Sequence, residues 1–568
     1  MPELRTRSVP VLAQDAGVRR DGKIVTARVS VPWEDLERGP TGHRVQVLDY
    51  DATTGTLYAP AAIGDGDVPD PVSASAILSD PEFHARNVYA LVMRTLGRFE
   101  YALGRRVSWG FRAHQLKVVP HAFEEMNSFY SPDAEALLFG YYRHGRELAF
   151  MCLSHDIVVH ETTHALVDGI RSRFMAPSSP DQAAFHEGFA DVVALLSVFS
   201  LGEVLRLLID RDAGSDGAAG LIRREAVTME RLMDSVLLGL ADEMASESGL
   251  ARVRALRRSV RIEPDPNVLN HLEFVEPHRR GEILVAAVMR TFVDVWSRRL
   301  AALGAKEEGA YLDLGRVAEE GETVAEMLLT MAIRALDYTP PIHLEFGDYL
   351  SALLTADSEI RSNDSRYELR KALLRWFESY GISPASGSED GLWPRSDRQL
   401  VHEGVRFGSL QSDPIEMFRL VWANRDSLRL DPRAYTRVAS VRPCVRVSPD
   451  DGLPLRETVA ECLQYASVPA SELRFYGLVK PSGMADETEV VLEGGSTLIL
   501  DDYGRLKYEV HNRLPDGRAG EELETAQKRL DYLWEQGYFE KGSSFAARLA
   551  TMHRLRAGQL PLQRSEVW

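Results

Sequence analysis

The stretch VVHETTHALVDG, Val158 to Gly169, sets two histidines four residues apart in an otherwise apolar helical pattern. Residues i and i+4 share a helix face, so His160 and His164 can offer two imidazoles to one cation. Glu161 follows the first histidine, rotated off that face but close enough to reach a water beside the ion, as a general base must. A catalytic zinc takes three protein ligands and keeps one position open. The pattern therefore demands a third ligand. It is expected 23 residues after His164, in AFHEGFADVVALL, where Glu187 and Asp191 lie one turn apart on an apolar helix. Two carboxylates on a buried helix are costly unless partnered. A metal accounts for Glu187, and the outward N–H of a metal-bound imidazole accounts for Asp191.

The remaining sequence bounds what surrounds this pair of helices. A chain of 568 residues is long enough for more than one domain. With 45% hydrophobic and 26% charged residues it reads as globular. A net charge of -18 argues against nucleic acid and anionic membranes as partners. Cys152, Cys444 and Cys462 are too scattered for a disulfide framework or a cysteine-based zinc site. The first residues lack the apolar core of a signal peptide and no apolar run reaches membrane-spanning length, so a cytoplasmic setting is expected.

Five regions are expected. Residues 1–80 read as β-rich, with two strands around a turn in His43 to Pro60. Residues 81–200 hold a helix ending at Gly104, a strand region and the two metal helices. Residues 201–385 read as a helical lobe. SPASGSEDGLWPRSD, Ser383 to Asp397, marks a boundary. Residues 398–515 read as an α+β module with a hairpin around Tyr503-Gly504. Residues 516–568 form a helical tail running to Ala557, with Gly558 as its stop. DRDAGSDGAAG, Asp210 to Gly220, lacks the closing glutamate of a calcium loop and reads as a linker, so calcium use stays undecided.

The HExxH motif followed by ExxxD resembles the gluzincin metallopeptidases, the thermolysin-like enzymes and fungalysins in particular. The resemblance spans about Asp80 to Asp357. It implies an α+β, two-lobed zincin with an added α+β C-terminal domain, and one zinc held by His160, His164 and Glu187. It further implies Glu161 as general base for hydrolysis of a peptide or protein substrate, and Asp191 behind a zinc ligand. Asp156 falls where thermolysin-like enzymes carry an acidic residue ahead of the motif.

NSFYSPDAEALLFGYY, Asn127 to Tyr142, resembles the family's substrate-pairing edge strand, with Asn127 and Ser128 at the contact positions. VEPHRRGEILVAAVMRTFVDVW resembles the fungalysin segment whose histidine stabilises the oxyanion. His278 matches it, with Glu276 or Glu273 to orient the ring. Asp348, in a late segment similar to fungalysins, is expected to be structural. The chain departs from the family in carrying Phe174 and Met175 where a second oxyanion donor, a Tyr, is usual. The substrate-gripping arginine has no assigned position between Arg223 and Arg261.

Two other readings stay open. One is a binding protein on the same shell, which the missing Tyr favours and Glu161 disfavours. The other is a zinc hydrolase with a small non-peptide substrate, which the edge strand disfavours.

Overall fold

Pro81 opens a helix because its missing N–H costs nothing there and Asp80 caps the turn by accepting from Glu82 N. That helix, Pro81–Leu103, ends at Gly104, whose φ of 68° suits glycine. A computed structural model describes residues 5–539 apart from 21–22, 65, 72, 145–146, 177, 214–219, 243–257, 304–309 and 519. The architecture is α+β: an N-terminal mixed sheet, a central helical region and a C-terminal antiparallel sheet.

The mixed sheet runs in the order Glu147–Phe150, Ala136–His144, Leu116–Glu124, Val45–Val47. The last two pairings are parallel and the first is antiparallel. A short strand, Ser128–Ser131, pairs antiparallel with Ala136–His144. The Asn127 to Tyr142 segment is therefore a hairpin rather than one strand. Pro132 and the positive φ of Glu135 (53°) turn it, and Ser131 Oγ accepts from Ala134 N. Among the described residues Ser128–Ser131 pairs with no second strand, so its outer edge is a sheet edge.

The helices His155–Ile170 and Pro180–Phe199 follow the mixed sheet. Each is buried nearly all round, as the apolar pattern requires. Against the second lies Pro277–Ala301. Gly188 and Gly281 meet at this crossing: a Cβ on Gly188 would stand 2.7 Å from Gly281 O, and one on Gly281 2.8 Å from Ala184 O. Two missing side chains thus bring the start of Pro277–Ala301 against the turn that carries Glu187. Among the described residues no single helix is long and apolar enough to cross a membrane.

The C-terminal sheet is a four-stranded meander: Tyr435–Val447, Pro454–Pro469, Glu489–Asp501, Leu506–Asn512. Its last hairpin turns at Gly504 (φ 72°), as the sequence suggests. Asp348 closes the capping box of Phe346–Ile360 with Glu345, a structural role. Of the expected helical tail, Glu521–Glu535 is helical. The helix stops at Glu535 and residues 536–539 form a turn, while the rest of the expected run to Ala557 and Gly558 lies outside the described residues. Of the expected Asp210 to Gly220 linker, Asp210 to Ala213 instead end the helix Gly202–Ala213, and residues 214–219 lie outside the described residues.

Charge joins the C-terminal sheet to the helices. Asp337, fully buried, takes a two-pronged ion pair from Arg105 (2.5 and 2.7 Å) and a second from Arg446. Arg446 also pairs with Glu457, which accepts from Tyr338 Oη at 2.8 Å. Burial alone would raise the Asp337 carboxyl. Arg105, Arg446 and Arg171 outweigh it and hold the group well below the usual carboxylate range.

Asp337→Asn leaves two buried guanidiniums short of a partner and should destabilise by about 3–5 kcal/mol, read as a lower denaturant midpoint. The contribution from Asp337 is complete above its unfolded pKa of about 3.9 and fades as pH falls through the lower folded value. An unchanged midpoint in the variant would contradict this account.

Candidate metal centre

His160 and His164 project from one face of His155–Ile170, their ring centroids 4.4 Å apart and nearly perpendicular. Glu187 reaches them from Pro180–Phe199, with Oε2 3.4 Å from His160 Nε2 and Oε1 3.6 Å from His164 Nε2. All three residues are at most 1% exposed, and their ligand atoms lie within 4.8 Å of one another. Asp191, one turn beyond Glu187, stands behind the first imidazole at 2.8 Å from Nδ1.

The hydrogen positions follow from this arrangement. Asp191 Oδ1 at 2.8 Å favours the hydrogen on His160 Nδ1, which leaves the lone pair on Nε2, 3.4 Å from a Glu187 carboxylate oxygen. A lone pair and a carboxylate face each other stably only across a cation, either a proton or a metal ion. The donor set is two imidazoles and one carboxylate, backed by an outer carboxylate, which suits zinc. The chain holds a candidate metal centre.

Glu161 is buried beside the triad, and its Oε2 accepts from the backbone N–H of Tyr130 at 3.2 Å. Tyr130 belongs to the edge strand, so the carboxylate lies between His155–Ile170 and that strand. The Tyr130 hydroxyl donates to Asp168 at 2.8 Å, farther along the same helix, which pins the strand there.

His278 enters from the first turn of Pro277–Ala301, with Nε2 3.7 Å from Glu187 Oε2. Glu276 does two jobs. Its side chain caps the helix by accepting from the N–H groups of His278 and Arg279, and it also accepts from His278 Nδ1 at 2.6 Å. Burial would raise Glu276, but the His278 ring, its charge and the two amides bring the carboxyl down to about 2. Glu276, rather than Glu273, is the partner of His278. Glu273 pairs with Arg279 instead.

The other sequence candidates are also located. Asn127 is buried, and its Oδ1 accepts from Ser128 N at 3.0 Å. Its amide nitrogen has no hydrogen-bond partner among the described residues. Ser128 is buried with Oγ turned to Met151 Sδ, so its side chain faces inward. Asp156, in the first turn of His155–Ile170, accepts from Ser154 Oγ of the N-cap residue. Phe174 is fully buried against Phe185 and has no group to donate.

Arg224 donates to Ala301 O and Arg258 pairs with Glu282. Residues 243–257, within the arginine-rich window, lie outside the described residues. His186, which the sequence reading passed over, stacks on His164 at 4.4 Å and 9°. Its signal was its place directly before Glu187.

Comparison with known proteins is silent: no family model and no curated protein matches the chain. Beside the His160, His164 and Glu187 group on which one zinc is expected, the described residues hold a second buried group that could take a metal, and it includes Cys152. Scattered cysteines exclude an all-cysteine set but not a mixed set gathered by the fold.

Asp191→Asn should weaken metal binding at the triad on the order of 10–100-fold, because the His160 tautomer is no longer enforced. Competition against a chromophoric chelator would measure it. Wild-type affinity in the variant would remove Asp191 from the site.

Proposed function

We propose that this protein is a zinc-dependent peptidase of the gluzincin type, a two-lobed thermolysin-like zincin whose cleft lies between the edge strand and His278. One observation carries the reading: Glu161 sits beside a His-His-Glu metal set and at the edge of Ser128–Ser131 at once. A purely structural zinc is closed by four protein ligands and has no use for a base at that position.

His160, His164 and Glu187 would hold a zinc ion, which would supply Lewis acidity for activating a water and a carbonyl. Glu161 takes the proton of the attacking water and delivers it to the leaving amine. His278, gripped at Nδ1 by Glu276, donates from Nε2 to the oxyanion as charge develops. An extended peptide adds to the edge of Ser128–Ser131 through main-chain hydrogen bonds, with the Asn127 amide donating to a substrate carbonyl.

A second reading has its own observation. Glu161 is only 1% exposed and Phe174 replaces the second oxyanion donor. Both favour a slow enzyme opened by a dedicated substrate, or a binding protein on the same shell.

Digestion of a diverse peptide library by the zinc-loaded protein separates the readings. The peptidase reading predicts internal cuts that fall by on the order of 10²–10⁴-fold in Glu161→Gln, with zinc content unchanged. His278→Ala should lower kcat by on the order of 10²–10³-fold with little change in KM. No cuts by the zinc-loaded wild type would overturn the broad-peptidase reading.

A further inference from the structure

A second group of buried ligands lies under the mixed sheet. His84 comes from the first turn of Pro81–Leu103, His121 from the strand Leu116–Glu124, and Cys152 from the single turn Met151–Leu153 that precedes the metal helix. The three are at most 1% exposed, and one ligand atom of each lies within 4.8 Å of the other two. None of them belongs to the His160 centre.

The proton count at this cluster does not close. His84 Nε2 stands 3.0 Å from Ile77 O. A carbonyl can only accept, so Nε2 carries the hydrogen and Nδ1 carries the lone pair. His121 Nδ1 stands 2.8 Å from Asp49 Oδ2, and Asp49 Oδ1 accepts from His121 N. With Asp49 ionised, Nδ1 carries the hydrogen and Nε2 the lone pair. Yet His84 Nδ1 and His121 Nε2 face each other at 2.8 Å. Two lone pairs at that distance repel. The chain from Asp49 through both rings to Ile77 is one cation short, and either an extra proton or a metal ion must supply it.

We propose that His84, His121 and Cys152 form a second metal site, for a divalent ion of borderline softness such as zinc. Cys152 is the reason to prefer a metal, since a shared proton has no use for a sulfur beside it. The charges also balance. A dication displaces the thiol proton to solvent, and the thiolate and the Asp49 carboxylate then neutralise it. Asp49 behind His121 and the Ile77 carbonyl behind His84 are the outer partners that metal-bound imidazoles require.

Around a tetrahedral ion, ligand atoms sit roughly 3.3–3.7 Å apart, so the rings part slightly and the sulfur closes in. The Phe150 ring packs on both imidazoles and Tyr58 on His121, which keeps the cluster dry. The metal would tie a helix, a strand and the entry of His155–Ile170 into one clamp. With three protein ligands, a tetrahedral ion would keep one position for a fourth ligand, and it would hold in place the helix that presents His160 and His164.

Cobalt(II) distinguishes the two sites because only one has a sulfur ligand. The full-length protein, stripped of metal, would be titrated with cobalt(II) and followed by absorption. The proposal expects two ions per chain and a near-ultraviolet thiolate-to-cobalt charge-transfer band. His164→Ala should lose one ion and keep the band. Cys152→Ser and His84→Gln should each lose one ion, and Cys152→Ser should lose the band altogether.

A folded wild type that binds cobalt without a charge-transfer band would overturn the proposal and leave the shared proton as the resolution. So would a band that survives Cys152→Ser. If the variants fail to fold, the wild-type spectrum still decides, because Cys152 is the only cysteine in a metal-ligand group among the described residues. The result does not depend on peptidase activity.

Discussion

A carboxylate buried among histidine nitrogens is the constraint on which the centre of this molecule depends. Glu187 faces His160, His164 and His278 at 3.4–3.7 Å with almost no contact with water. Such a group is tolerated only if a cation or a set of N–H donors compensates it. Three helices must therefore arrive in fixed register. The Gly188–Gly281 contact lets two of them approach backbone to backbone, and Glu276 fixes both the start of the third helix and the ring it carries. Helix capping, close packing and ligand orientation here are parts of one arrangement.

The C-terminal sheet contributes to the same end. Arg171, just beyond the end of the metal helix, donates to Leu336 O and to Glu461 on the second strand of that sheet. Asp337, next along the chain from Leu336, anchors Arg105 and Arg446. The end of the metal helix is thus held by groups belonging to the sheet, and ion pairs of this kind lose much more when broken than they contribute when intact. This is a physical reason for the sheet to stay docked on the helices. The proposed His84/His121/Cys152 clamp would act at the opposite end of the same helix.

The local parts of the site were legible in the sequence because they depend on helical periodicity. The i, i+4 spacing places His160 with His164 and Glu187 with Asp191, and Glu276-Pro277-His278 is a capped helix start in which the cap and the histidine must meet. What the sequence does not carry is the meeting of distant segments. Glu161 accepting from Tyr130 N, and His186 stacking on His164, follow from how strands and helices pack. His84, His121 and Cys152 share no spacing rule at all, because three different elements bring them together. The hairpin in Asn127 to Tyr142 reads in sequence as one strand, since its short turn, Pro132 to Glu135, lies between two segments rich in aromatic and aliphatic residues.

The most direct test of the central claim is anomalous diffraction at the zinc edge from crystals of the zinc-loaded wild-type protein. The account predicts a peak at roughly 2.0–2.2 Å from His160 Nε2, His164 Nε2 and the Glu187 carboxylate together. A zinc-saturated crystal with no peak among those three residues would contradict it.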